Sequence, residues 1–167
     1  MRSFATWDEL SACVGQDIGW SDWLTITQAQ IDGFAQATGD AQWIHVDPAR
    51  AATGPFGATV AHGFLTLSLL PHFFSTTYTV QTPSMGVNYG LNKVRFMAPV
   101  RVNSRLRALL HLAAVENIDG GALQLTWRVS IECEGQDKPV CVAQYLVRRY
   151  PLYACRSQAL NLGGLLP

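Results

Sequence analysis

Asp40 and His45 stand five residues apart in TGDAQWIHVDPARAATGPFGATVAHGFLTLSLL, a stretch that is otherwise apolar and rich in glycine. A carboxylate and an imidazole that share one water can take its proton and deliver a proton to carbon, which is general acid–base chemistry. Taken alone, Asp40 also fits a turn aspartate at a helix end, and His45 a hydrogen-bonded core histidine between Ile44 and Val46. A third group follows downstream, where Ala61-His62-Gly63 leads into an apolar run. The first N–H groups of a helix have no intrahelical partner and lie at the positive end of its dipole, so the Gly63 amide can stabilise a developing oxyanion. The plain alternative for Gly63 is a tight entry from loop to helix. His62 adjoins that donor and shapes its turn, while His72, behind Pro71 near the end of the run, reads as structural. Ser68 and Thr66 can bond to carbonyls of the preceding turn and need no substrate.

The elements that must hold these groups can be read from periodicity. Ile31, Phe34, Ala35 and Thr38 recur at helical spacing, and Thr27 with Gln30 has the form of a capping box, which predicts a helix over about residues 28–38. Gly39 suits its C-terminal cap, so Asp40 opens a loop. Asp47 and Pro48 then match the N-cap and first residue of a short helix, which closes the loop that carries His45. In HGFLTLSLLPHFF apolar residues cover every face, as in a buried helix, and Pro71 is expected to kink it. Beyond Ser84 the period changes to two. Leu106, Ala108, Leu110, Leu112 and Ala114 form one face, and Leu123, Leu125, Trp127, Val129, Ile131 and Cys133 another. Asp119-Gly120-Gly121 between them supplies the turn of a long hairpin. KPVCVAQYLVRRY reads as a further strand, GVNYG and LNKVRF as shorter ones, and the early GWSDWLTI as strand too. One apolar helix and several long antiparallel strands pack economically when a strongly curved sheet wraps around the helix, an α+β arrangement known as the hot-dog fold.

A chain of 167 residues fits one domain, here residues 1–150 with a C-terminal tail over 151–167. Hydrophobic residues make up 49% and charged residues 14%, which excludes disorder and leaves a surface poor in charge, so part of it is expected to meet a second subunit. The first residues lack a signal-peptide core, and no apolar run approaches the roughly 18 residues that span a bilayer. The expectation is a cytoplasmic protein that makes no membrane contact. Cys13, Cys133, Cys141 and Cys155 show no metal-ligand spacing and read as reduced, buried thiols. Net charge is zero, yet residues 1–92 carry −5 and residues 93–167 carry +5. That excess is too dispersed for a nucleic-acid binder, though Lys93, Arg95, Arg101, Arg105, Arg107, Arg128, Arg148 and Arg149 could hold one anionic cofactor-like group at a pocket rim.

The quoted signature, with its Asp-x4-His spacing and AHG before an apolar helix, resembles MaoC-like dehydratases, the family of R-specific enoyl-CoA hydratases, and within it the nodulation-protein-N-like branch. The likeness covers about residues 20–149, where GLNKVRFMAPV and the KPVCVAQYLVRR strand match its later part. It implies reversible hydration of trans-2-enoyl-CoA to (R)-3-hydroxyacyl-CoA, with Asp40 and His45 as the catalytic pair and the Gly63 amide binding the thioester carbonyl. It further implies a homodimer, an acyl-CoA thioester as partner, no metal, and no cofactor beyond the CoA of the substrate. Gln42-Trp43 replaces an Asn-Pro frequent in that loop, and Met97 a proline frequent before the APV turn. A hot-dog acyl-CoA thioesterase and a non-catalytic acyl-thioester binding subunit are the alternatives, since fold alone does not fix chemistry.

Overall fold

The computed structural model describes residues 1–152. Most of the expected tail, and Cys155 with it, lies outside the described residues. The chain opens with β1 (Arg2–Phe4), α1 (Trp7–Ser11), β2 (Asp17–Trp20) and β3 (Leu24–Thr25). Four helices follow, namely α2 (Gln28–Thr38), α3 (Trp43–Val46), α4 (Pro48–Ala52) and α5 (Gly63–Ser68), and then α6 (Leu70–Thr77). The rest is strand: β4 (Tyr78–Val80), β5 (Ser84–Phe96), β6 (Arg105–Ile118), β7 (Ala122–Cys133) and β8 (Cys141–Pro151).

The main sheet is antiparallel in the order β2-β6-β7-β8-β5, with β3 also paired to β6, while β1 and β4 form a separate parallel pair. The β6–β7 hairpin forms as the alternation predicts, reversing at Asp119–Gly121, where Gly120 and Gly121 both take positive φ. Leu106, Ala108, Leu110 and Leu112 of β6 face Leu125, Trp127, Val129 and Ile131 of β7 across one core surface. A register shift after Leu112 and two more in β5, at Asn88/Gly90 and Leu91/Lys93, bend these strands. Such bulges add twist and curvature, and here the sheet curls over the helices. The segments expected as two short strands, GVNYG and LNKVRF, are one bent strand, because a bulge preserves pairing where an alternation pattern breaks.

The central helix is present but divided. Leu69 separates α5 from α6, with Pro71 in the first turn of the second piece, so the backbone donor that proline lacks is one no helix start would use. Leu65, Leu70, Phe73 and Phe74 enter the core, where Phe74 meets the Trp127 ring edge-on at 5.0 Å and Tyr78 stacks on the same indole at 5.4 Å. The opposite side of the helix is uncovered in the single chain, for Phe64 is 69% exposed and Pro71 and His72 face outward. Periodicity had marked every face as apolar; only one of them is buried by this chain's own sheet. Cys13, Cys133 and Cys141 are buried free thiols, and burial pushes Cys141 up to about 11. Three short elements were not revealed by alternation, β1 and α1 at the start of the chain and β4 after the central helix, each too brief for a period to register.

Trp127 is wholly buried at the junction of helix and sheet. Replacing it with alanine should lower stability by about 3–5 kcal/mol, through lost burial and a cavity the aromatic neighbours cannot fill. Urea denaturation of Trp127→Ala against wild type measures this, and a loss under 1 kcal/mol would show that the contact is not central.

Candidate active site

Gly39, at φ +80°, caps α2 in the left-handed conformation and turns the chain into Asp40. At the other end of the segment the Asp47 carboxylate accepts the Arg50 N–H at 3.0 Å, with Pro48 as the first helical residue. Both boundaries are those the sequence predicts, but the chain between them is not a plain loop. Trp43–Val46 winds into the single turn α3, in which the His45 N–H bonds to the Gln42 carbonyl at 2.9 Å. Trp43 anchors that turn: its ring lies so close to Gly54 that a Cβ there would fall 2.9 Å away, and the Arg50 guanidinium sits 4.4 Å over it. The Gln42-Trp43 departure from the family pattern thus replaces a rigid proline by a packed indole.

The winding sends His45 inward, to 7% exposure, while the Asp40 side chain stays 51% exposed. His45 Nδ1 lies 2.6 Å from the Val60 carbonyl. A carbonyl only accepts, so Nδ1 carries the hydrogen and Nε2 is the nitrogen left for chemistry. His62 stacks on His45 with ring centroids 3.7 Å apart, and its Nε2–H donates to the Asp40 main-chain carbonyl at 2.8 Å. One carboxylate oxygen of Asp40, one ring nitrogen of His45 and one of His62 all lie within 4.8 Å of one another. A water bonded at about 2.8 Å to each of two groups spans such a gap. The same three groups form a candidate metal-ligand set. The histidine rings are nearly parallel, 25° apart, so their in-plane lone pairs run side by side rather than converging, which suits a shared water better than one ion.

Two residues behind the site were not singled out from the sequence. Gln28, at the start of α2, donates through Nε2 to the His45 carbonyl and to Asp32, both at 2.8 Å, and its Oε1 accepts the Thr59 hydroxyl. His62 was noticed only as a neighbour of Gly63; in the fold it bridges the backbone of Asp40 and the ring of His45. No local motif marks either link, since each joins residues 17 or more positions apart.

Gly63 is the first residue of α5, beside a cavity of about 260 Å³ lined by Ala61, Thr66, Phe96 and the Met97–Val100 turn. A Cβ on Gly63 would come within 2.9 Å of the Phe96 ring, so glycine is what allows strand and helix to approach. Met97 donates its N–H to the Val140 carbonyl at 2.7 Å, a bond the proline frequent at this position could not make. The basic residues divide. Arg105 pairs with Glu134 and Arg107 with Glu132, Arg128 bonds to His111, and Arg148 bonds to Gln124 while stacking over Tyr89. Those four are tied to the sheet surface. Lys93 and Arg101 have no acidic partner among the described residues, and the Arg101 backbone pairs with Val60 beside His45.

With this geometry in view, the comparisons with known proteins are direct: residues 9–132 match the MaoC like domain. The chain belongs to the MaoC-like family. This MaoC-like chain is 54% identical over 148 residues to 3-hydroxyacyl-thioester dehydratase Z of Mycobacterium tuberculosis, covering 89% of the chain and 98% of that protein. It is 45% identical over 135 residues to nodulation protein N of Rhizobium leguminosarum bv. viciae, covering 80% and 84%. Among solved structures, the (R)-hydratase from A. caviae superposes with a TM-score of 0.62 at 25% identity, over 80% of this chain and 94% of that one. The hot-dog architecture is therefore shared. No helix among the described residues is long and apolar enough to cross a membrane.

Gln28→Leu should lower stability by about 1–3 kcal/mol, because it leaves the part-buried His45 carbonyl and Thr59 hydroxyl without their partner. Denaturant melts check this. Unchanged stability would mean that water replaces the Gln28 amide.

Proposed function

We propose that the chain hydrates trans-2-enoyl thioesters, and in reverse dehydrates 3-hydroxyacyl thioesters, with Asp40 and His45 acting on one water. The observation that carries this reading is the approach of an exposed carboxylate to a buried imidazole whose free nitrogen is fixed by the Val60 carbonyl. Relatives named 3-hydroxyacyl-thioester dehydratase Z, 3-hydroxybutyryl-CoA dehydratase and (R)-specific enoyl-CoA hydratase support the reaction class.

In this mechanism the thioester carbonyl sits at the start of α5 against the Gly63 N–H, which draws electron density from the conjugated alkene and leaves C3 electrophilic. The water donates one hydrogen to Asp40 and the other to His45 Nε2, which leaves an oxygen lone pair directed at C3. Asp40 takes the proton as the C–O bond forms. The proton that Asp40 took then passes from its carboxyl to C2 on the same face, which restores the carboxylate and gives syn addition and an (R)-3-hydroxyacyl product. Water is consumed, no redox change occurs, and the CoA thioester bond survives. Lys93 and Arg101, which have no acidic partner among the described residues, are the contacts this reading assigns to the CoA phosphates, and the reading calls for no metal or further cofactor.

Asp40→Asn and His45→Gln should each fold normally and lose about 10²- to 10⁴-fold in kcat/KM, the span that acid–base positioning supplies. The assay is hydration of enoyl-CoA substrates of graded length, with chiral analysis of the product. Near wild-type activity in either folded variant removes that residue from the mechanism, and release of free CoA without a hydroxyacyl product would assign hydrolysis instead.

The same reading includes a homodimer joined along the outer edge of β5. Met85, Val87, Tyr89 and Leu91 on that edge strand are exposed, as is Phe64 on the helix beside it. An apolar edge of this length is a template for pairing unless a partner covers it. Light scattering should therefore give twice the 18.3 kDa chain mass at micromolar concentration, and a monomer there would overturn the dimer.

A further inference from the structure

Behind the helix, two cavities share part of their lining. The first, of about 410 Å³, starts beside the active site at Phe34 and Phe64 and runs along Leu67 and Leu70. Phe34 is itself 5.0 Å from the His62 ring. The second, of about 560 Å³, contains Arg149, Tyr78 and Trp7. Pro71, Asn88 and Tyr145 line both, so a largely apolar cavity, bounded also by Tyr89 and Leu91 of the proposed dimer edge, adjoins a chamber that holds Arg149.

Among the described residues Arg149 has no counter-charge. Its Nε is fully buried without a hydrogen-bond partner, and it forms no salt bridge among the described residues. Residues 153–167 contain neither Asp nor Glu. Burial pushes both Tyr78 and Tyr145 up, outweighing the pull of the guanidinium, so the two phenols remain neutral and cannot balance it. The Tyr145 hydroxyl is instead spent on Asn88 Oδ1. The guanidinium is also seated: a Cβ on Gly86 would lie 2.3 Å from Nη1, so the group rests on bare backbone, with the Trp7 ring 5.2 Å away. A partly desolvated arginine of this kind is costly unless paired, and its planar fork matches a carboxylate.

We infer that the adjoining cavities accept an acyl chain whose far end carries a carboxylate, bound by the Arg149 guanidinium. This deepens the enoyl-thioester reading of the same site and rests on it. Length follows from the helix that walls the cavities. From Gly63 to Ser75 the rise is about 18 Å for a straight helix. An extended chain advances about 1.2 Å per bond, which sets roughly 15 bonds as the upper bound, and the break at Leu69 with the inward reach of Arg149 brings this to about a dozen carbons.

The test uses two saturated thioesters that cannot be hydrated, lauroyl-CoA and the mono-CoA thioester of dodecanedioic acid, titrated calorimetrically into the full chain. Wild type should bind the carboxyl-ended thioester about tenfold to hundredfold more tightly. Arg149→Met should bind the two equally, and Arg149→Lys should keep part of the preference because it keeps the charge. Equal affinities in wild type, or a preference that persists in Arg149→Met, overturn the proposal. Hydration of dodecenoyl-CoA, measured in parallel, separates the two ideas: hydration without a carboxylate preference sinks only the anion subsite. A preference without hydration sinks only the hydratase reading, and failure to bind either thioester sinks both.

Discussion

The arrangement of the site depends on three residues in extended form, Thr59–Ala61. The Val60 carbonyl fixes the His45 ring at 2.6 Å, while the Val60 N–H bonds to the Ile44 carbonyl at 2.9 Å. On its other side the segment is tied to the turn before β6, with Ala61 N–H to Val100 at 2.7 Å and Val102 N–H to Thr59 at 2.9 Å. It leads without interruption into His62 and Gly63. The histidine, the helix start and the sheet are therefore registered to one another through four backbone atoms of this segment, Thr59 O, Val60 N, Val60 O and Ala61 N. This is the kind of support that holds reacting groups within the small tolerances catalysis requires.

Much of this was legible in the sequence because it is local. The caps at Thr27 and Asp47 follow from side-chain bonds to the N–H three residues on, the cap at Gly39 from the left-handed φ that a missing side chain permits, and all three form. The alternation in β6 and β7 reports a half-buried surface, and that surface is where it points. What escaped has a common cause. The turn at Trp43–Val46 depends on an indole packed against Gly54, and the roles of Gln28 and His62 depend on partners far along the chain. Periodicity carries no trace of such contacts. The Asp-x4-His spacing marks two residues that the fold brings close, but it could not say which histidine nitrogen is free, since Val60 lies 15 residues away.

The apolar helix shows a different limit. A residue pattern states that a face avoids water, not which surface covers it. Leu65, Phe73 and Phe74 find theirs in the sheet, whereas Phe64 and the edge of β5 do not find one among the described residues. The low charge of the sequence fits the proposed homodimer, in which a surface that meets a second copy is relieved of the need for solubilising charge.

The distribution of burial between Asp40 and His45 also limits what the site costs in stability. A buried carboxylate would have to surrender its hydration or its charge, and either would penalise folding by several kcal/mol. In the proposed mechanism the carboxylate that accepts the proton is the exposed group, and the buried group is an imidazole whose Nδ1–H is already satisfied by the Val60 carbonyl. His62 follows the same rule, since it uses its single N–H on the Asp40 carbonyl and turns its bare, unpartnered Nδ1 inward.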